Sequence, residues 1–187
     1  MKIIFFVINS IFLLACSHAK DEVNIYSARQ EVLMKPLIEI FENKTNINVN
    51  IVAAKANQLI NKIVQEGEFT KADILLTTDV GRLHIAKEKN IFQKINNPIL
   101  NNLIPSNYKD KENYWFGMSL RARFLVYNKD KVNLSELAGY IDLAKNKWNG
   151  KILVRSSSNV YNQSLVSAMI INYGVREVKF FLEGFTR

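Results

Sequence analysis

A chain of 187 residues, 48% of them hydrophobic, is long enough for one large domain or for one domain and part of another. This composition excludes a largely disordered chain. The net charge of +8 comes from scattered basic residues without a dense basic run, so it gives no reason to expect a nucleic-acid partner. The single cysteine, Cys16, excludes an intramolecular disulfide.

The N-terminus predicts an export signal. A short basic start precedes an apolar run over residues 3–15, which is the length of a signal-peptide core and too short to span a bilayer comfortably. Cleavage after Ala19 would make residues 1–19 the signal peptide. A lipobox-like ending at Cys16 would instead make it residues 1–15, with Cys16 lipidated. Both alternatives predict export to the periplasm, and the second adds a membrane anchor.

Strands and helices are expected to alternate after the signal. Segments with period-2 patterns or short apolar runs predict strands, and segments with apolar residues three and four apart predict helices. Alternation of this kind is typical of a parallel α/β sheet covered on both faces. The predicted order is strand 23–27, a helix ending near 43–45, strand 47–52, helix 58–66, a buried strand 72–76 and helix 80–89.

The pattern changes after Pro98. Residues 99–111 are polar and rich in turn formers, which indicates a boundary region. We expect a first α/β lobe over residues 20–121 and a second over residues 122–187. The segments predicted after the boundary are strands 114–119, 122–127 and 151–154 and helices 165–171 and 175–185.

Polar side chains follow the first and third predicted strands, where parallel α/β sheets bind their ligands. After the first strand the candidates are Tyr26, Arg29 and Gln30, and after the third strand they include Thr78. No nucleophile–base pair, phosphate-binding loop or dinucleotide fingerprint accompanies them, so an enzyme is not expected.

A second group of candidates lies later in the chain. A hydroxyl-rich turn containing Ser157 leads into a helix start that carries Tyr161, where backbone N–H groups and the helix dipole favour an anion. Arg121 and Arg123 would suit carboxylate, carbonate or phosphate. Phenolate oxygens of Tyr26 or Tyr161 would suit a hard cation such as ferric iron. The alternatives are an ordinary helix cap for the turn, a plain surface cation for Arg121 and a pair with a carboxylate for Arg123.

Four motifs in order carry a family resemblance: NIYSARQ (24–30), ADILLTTDVGRL (72–83), WFGMSLRAR (115–123) and RSSSNVYNQS (155–164). Together they resemble the periplasmic ferric-iron-binding proteins of bacterial ABC importers, from about residue 23 to 187. KWNGKI (147–152) also fits that pattern. The resemblance implies a type II periplasmic-binding-protein fold, in which two α/β lobes close over Fe³⁺ and an inner-membrane ABC permease is the partner.

The resemblance also implies site residues. Tyr161 matches an iron-ligating tyrosine, and Arg121 and Arg123 match cleft arginines that help some members hold a carbonate. Gln30 and Glu31 stand where a ligating histidine or His-Tyr pair is usual; Glu31 could substitute as a carboxylate. Thr78 stands where other branches have a ligating glutamate.

The chain ends at Arg187, before the adjacent tyrosine pair that the family carries in its later half. From the sequence we therefore expect an N-terminal portion that binds iron weakly or not at all. It could be half of a two-chain protein completed by a C-terminal chain, or a remnant without transport function. A binder of another anion or organic ligand in the same superfamily is a further alternative, favoured by Gln30 and Thr78.

Overall fold

The computed structural model describes residues 21–185. The predicted export signal, with Cys16 and either cleavage point, lies outside them. The described residues divide into two compact units, one ending at Thr78 and the other beginning at Asp79. The lobe boundary predicted near residue 121 stays a prediction.

The first unit is a parallel three-stranded sheet with two helices, as the alternating pattern predicts. The sheet order is β2-β1-β3, with Ile25 of β1 opposite Ile51 of β2 and Ile74 of β3. Its elements are β1 (Glu22–Ser27), α1 (Glu31–Thr45), β2 (Asn48–Ala53), α2 (Ala56–Glu66) and β3 (Ile74–Leu76).

The buried residues of the first unit come from β1 and α2. Leu59, Ile60 and Ile63 lie on one face of α2, and Tyr26 and Ser27 end β1. The expectation that β3 is a buried strand is wrong, because Ile74 has an exposed fraction of 47% and Leu75 and Leu76 are only partly buried. Within residues 21–185, β3 pairs only with β1 and so keeps an open edge.

The second unit is helical in the residues described. Its helices are α3 (Val80–Glu88), α4 (Pro98–Leu103), α5 (Val160–Tyr173) and α6 (Val175–Gly184), and short 3₁₀ turns connect α4 to α5. Helix α5 begins earlier than the predicted residue 165 because Asn159 caps it. A core of Ala144, Met169, Val178 and Phe181 packs α6 against α5 and the 3₁₀ turn Ile141–Ala144. Between residues 21 and 185, no helix is long and apolar enough to cross a membrane.

The prediction of strands over 114–119, 122–127 and 151–154 is wrong, because the structure has no strand in these segments. In these segments the only strand-like pairing among residues 21–185 is one antiparallel bridge, between Lys109 and Phe116. A strand requires a partner that completes its hydrogen bonds, and a favourable side-chain pattern cannot supply one. Their apolar side chains are accordingly exposed, as at Phe124, Val126 and Leu153.

Two buried carboxylates fix the irregular segments of the second unit. Asp142 accepts hydrogen bonds from Lys145 and from the indole N–H of Trp148 (3.4 Å), and the Lys145 ammonium foremost holds the pKa of Asp142 below its usual value. Asp110 lies 2.9 Å from the ammonium nitrogen of Lys87. Burial acts to raise the pKa of Asp110, but the hydrogen bonds from Lys87 and from backbone N–H groups outweigh it and lower that pKa.

Candidate functional site

The start of α5 places Tyr161. Asn159 adopts extended backbone angles and its side-chain oxygen accepts the backbone N–H of Tyr161 at 3.0 Å, which is the usual N-cap arrangement. Tyr161 therefore lies in the first turn of α5. Its side chain is partly buried.

The hydroxyl-rich turn before α5 is held by side chains from the helix itself. The amide of Asn162 donates to the carbonyls of Arg155 and Ser156, and the amide of Gln163 donates to the carbonyl of Ser157 at 3.3 Å. These bonds fold the turn back over the first turn of the helix. They explain why Arg155, six residues before Tyr161, is next to it in space.

Three guanidinium groups surround the phenol of Tyr161. Arg121 donates a hydrogen bond to the phenol oxygen at 2.9 Å. The guanidinium carbons of Arg121, Arg123 and Arg155 lie 5.7, 6.0 and 5.3 Å from the centre of the ring, within cation–π range. The structure thus brings together three of the predicted site residues, Tyr161, Arg121 and Arg123.

Arg155 is a member of this group that the sequence did not identify. It begins the hydroxyl-rich motif, but nothing in its own sequence neighbourhood distinguishes it from a surface cation. We call the set Arg121, Arg123, Arg155 and Tyr161 the phenol–arginine cluster.

The charges of the phenol–arginine cluster decide what can bind to it. Three cationic groups around one phenol repel an isolated metal ion and attract an oxyanion. All three arginines are exposed, so their donors remain accessible to a ligand in solution. A trivalent cation can be held at Tyr161 only together with anionic ligands that offset the guanidinium charges. The cluster is therefore suited to an anion or to a metal–anion complex.

Four predicted site residues of the first unit lie where strands of one sheet end. Arg29, Gln30 and Glu31 form the link from β1 to α1, with Gln30 and Glu31 exposed, and Thr78 follows β3. The backbone N–H of Ala28 donates to the carbonyl of Leu76 at 2.8 Å, so the two strand ends are adjacent. Within residues 21–185, no group of three histidine, cysteine, aspartate or glutamate side chains could hold a metal ion.

Tyr26 has a different environment from the one its motif predicts. Its exposed fraction is 3%, and its hydroxyl donates to the carboxylate of Glu66 at 3.0 and 3.2 Å. Burial raises the pKa of Tyr26, and the Glu66 carboxylate raises it further. The phenolate that ferric iron requires is thus disfavoured here, and the geometry argues against the predicted ligand role of Tyr26.

Comparison with known proteins identifies the relatives of this chain. Residues 69–186 match the family of bacterial extracellular solute-binding proteins. Iron uptake protein A1 of Synechocystis is 37% identical over 190 residues, covering 96% of this chain and 53% of that protein.

Solved structures give the same result. A Trichodesmium protein in complex with iron and citrate ligands superposes with a TM-score of 0.82 at 45% identity, covering 89% of this chain and 52% of that one. A ferric binding protein from Campylobacter jejuni gives a TM-score of 0.81 at 36% identity, covering 88% and 52%. The predicted α/β fold of type II periplasmic binding proteins is confirmed, and the chain spans about half the length of the relatives it matches.

Proposed function

This chain belongs to the family of bacterial extracellular solute-binding proteins, and on that premise we propose that it is a substrate-binding component of an iron(III) ABC importer. Members of this family bind solutes and are not enzymes. The proposed protein is exported to the periplasm, where it delivers iron to an inner-membrane ABC permease. If Cys16 is lipidated, it works from a membrane anchor.

The observation that carries the proposal is the phenol–arginine cluster. It combines the oxygen donor that ferric iron prefers with cations that hold an anionic co-ligand. Arg121, which already donates to the phenol oxygen of Tyr161 at 2.9 Å, keeps that oxygen oriented. Arg123 and Arg155 supply further donors for a carbonate or carboxylate group. The relatives named for iron uptake and ferric binding make iron the most specific cargo for this arrangement.

We further propose that this chain supplies only part of the iron site. Tyr161 is the one phenolate donor of the cluster, and Glu31 and Gln30 are the remaining predicted donors. Within residues 21–185 the exposed segments around Phe124 and Leu153 have no strand partners. The half-length coverage of the relatives supports this proposal. Alone, the chain then binds ferric iron weakly.

The test is a titration of the purified chain with ferric citrate, followed by the visible absorption of phenolate bound to iron. We expect a weak, unsaturated band that disappears in Tyr161→Phe. Tyr173→Phe is the matched control, because Tyr173 lies on the same helix and is exposed. A strong band at one equivalent of iron would contradict the partial site, and a band that persists in Tyr161→Phe would contradict the role of Tyr161.

A second function is favoured by the same charges: binding of an anion or an anionic organic ligand without iron. The guanidinium carbons of all three arginines lie within 6.0 Å of one ring centre. Calorimetric titration with citrate and with phosphate, each without iron, separates the two functions. Citrate binding that is unchanged by added Fe³⁺ would support the anion binder over the iron carrier.

A further inference from the structure

The N-terminal ends of α3 and α5 are joined by one carboxylate. A single oxygen of Asp79 accepts the backbone N–H of Gly81 at 2.8 Å, which caps α3, and the hydroxyl of Ser164 at 3.1 Å, which belongs to α5. The two helices are 85 residues apart along the chain at this bond. A negative charge at the start of a helix is also stabilised by the helix dipole. Asp79 thus fixes the starts of both helices at one point.

Gly81 supplies a second point of contact. A methyl group added at Gly81 would lie 3.0 Å from a methyl carbon of Val160, 3.0 Å from the capping oxygen of Asp79 and 3.7 Å from the hydroxyl of Ser164. A side chain at Gly81, even a single methyl group, would therefore crowd Val160 and the Asp79 carboxylate. Val160 is the residue immediately before Tyr161.

These two contacts flank Tyr161 on its own helix. Val160 precedes it, and Ser164 follows it three residues later, so contacts at these two positions restrain both the rotation and the axial position of the first turn. The direction of the Tyr161 side chain depends on that rotation. A phenol hydrogen bond of 2.9 Å to Arg121 tolerates only a small displacement of the helix start.

We propose that Asp79, Gly81 and Ser164 are positioning residues for Tyr161, which hold its phenol in the phenol–arginine cluster. This proposal rests on the proposed function in one respect, namely that Tyr161 is the residue that holds the ligand. Asp79 and Ser164 contribute a hydrogen bond between the helices, and Gly81 contributes the space that this bond requires. No part of this arrangement needs Asp79 or Ser164 to touch the ligand.

The experiment replaces tyrosine with 3-fluorotyrosine and follows the ¹⁹F resonance of Tyr161, assigned by its absence in Tyr161→Phe. We expect Ser164→Ala to shift this resonance, and Ser164→Thr, which keeps the hydroxyl, to restore it. Ser167→Ala is the matched control, because the hydroxyl of Ser167 bonds only within α5, to the carbonyl of Gln163. Asp79→Asn, which keeps the accepting oxygen, should shift the resonance less than Asp79→Ala.

Urea unfolding of the same variants separates positioning from folding. We expect the Tyr161 resonance of Ser164→Ala to be shifted under conditions where urea unfolding shows that the variant is fully folded. An unmoved Tyr161 resonance in folded Ser164→Ala, or an equal shift in Ser167→Ala, would overturn the proposal. Failure of ferric citrate to bind the unaltered chain would contradict the proposed function and leave the positioning result intact, because the resonance is measured without iron.

Discussion

Adjacent phenylalanines on α6 give the sharpest test of how the second unit is packed. Phe181 has an exposed fraction of 4% and belongs to the core, whereas Phe180 has an exposed fraction of 46%. The ring of Phe181 also meets that of Phe185 edge to face, with centres 4.7 Å apart. Phe181→Ala and Phe180→Ala therefore delete the same atoms from two different environments.

The expected cost follows from burial. Truncating a buried phenylalanine to alanine costs about 3–5 kcal/mol of unfolding free energy, and about 1 kcal/mol of that cost comes from losing an edge-to-face ring pair. Several neighbours of Phe181, such as Leu165 and Val166, are only partly buried and can relax into the space. We therefore expect about 3 kcal/mol for Phe181→Ala. Phe180→Ala should cost less than about 1 kcal/mol, as at other half-exposed positions.

The assay is urea unfolding followed by tryptophan fluorescence. Both tryptophans, Trp115 and Trp148, lie in the second unit, so the signal reports on that unit alone. Phe181→Ala should lower the unfolding midpoint strongly at an unchanged slope, and Phe180→Ala should leave the midpoint close to that of the unaltered chain. Equal losses in the two variants, or a larger loss in Phe180→Ala, would refute the assigned core.

Three further predictions concern acid stability, close packing and the first unit. The pKa of Asp142 is lowered, above all by Lys145, so the Asp142 carboxylate contributes its full stabilisation above about pH 4 and loses it as the pH falls through the lowered pKa. The urea midpoint of the unaltered chain should therefore fall in acid, and Asp142→Asn should reduce this acid decline. Gly184→Ala should destabilise by roughly 1–3 kcal/mol in the same assay, because its new methyl group would lie 2.7 Å from the backbone of Ala144. Tyr26→Phe should lower the stability of the first unit by about 1 kcal/mol, measured by urea unfolding followed by circular dichroism because that unit holds neither tryptophan, and should leave the ferric citrate titration unchanged.

Each of these predictions has a result that contradicts it. Asp130→Asn is the control for the acid decline, because Asp130 is exposed in the same unit, and an equal flattening there would remove the special role of Asp142. A gain in stability for Gly184→Ala would mean that helix preference outweighs the backbone clash. Loss of iron absorption in Tyr26→Phe would restore Tyr26 as a ligand.

The elements of the first unit could be predicted because each carries its own local pattern. Helix α2, for example, buries Leu59, Ile60 and Ile63 at helical spacing, and that spacing is visible in the sequence alone. The segment 122–127 has an equally good strand pattern, but a strand also depends on a distant partner. Within the described part of the chain no such partner is present, so the local pattern was insufficient.

The candidate site likewise contains residues that the sequence predicted and residues that it did not. Tyr161, Arg121 and Arg123 were identified from motifs, and the structure brings them together. Arg155 joins them only because a folded turn returns it to Tyr161, which no spacing rule predicts. The hydrogen bond from Ser164 to Asp79 links residues far apart in sequence and was likewise invisible before the fold was known.

We propose that the phenol of Tyr161, beside its three guanidinium groups, is the oxygen donor that holds iron on this chain. Resonance Raman spectroscopy of the chain in excess ferric citrate detects that bond directly. We predict phenolate vibrations of an iron-bound tyrosine in the unaltered chain and in Tyr173→Phe, and their loss in Tyr161→Phe. Phenolate vibrations that survive in Tyr161→Phe, or iron bound to the unaltered chain without them, would contradict the claim.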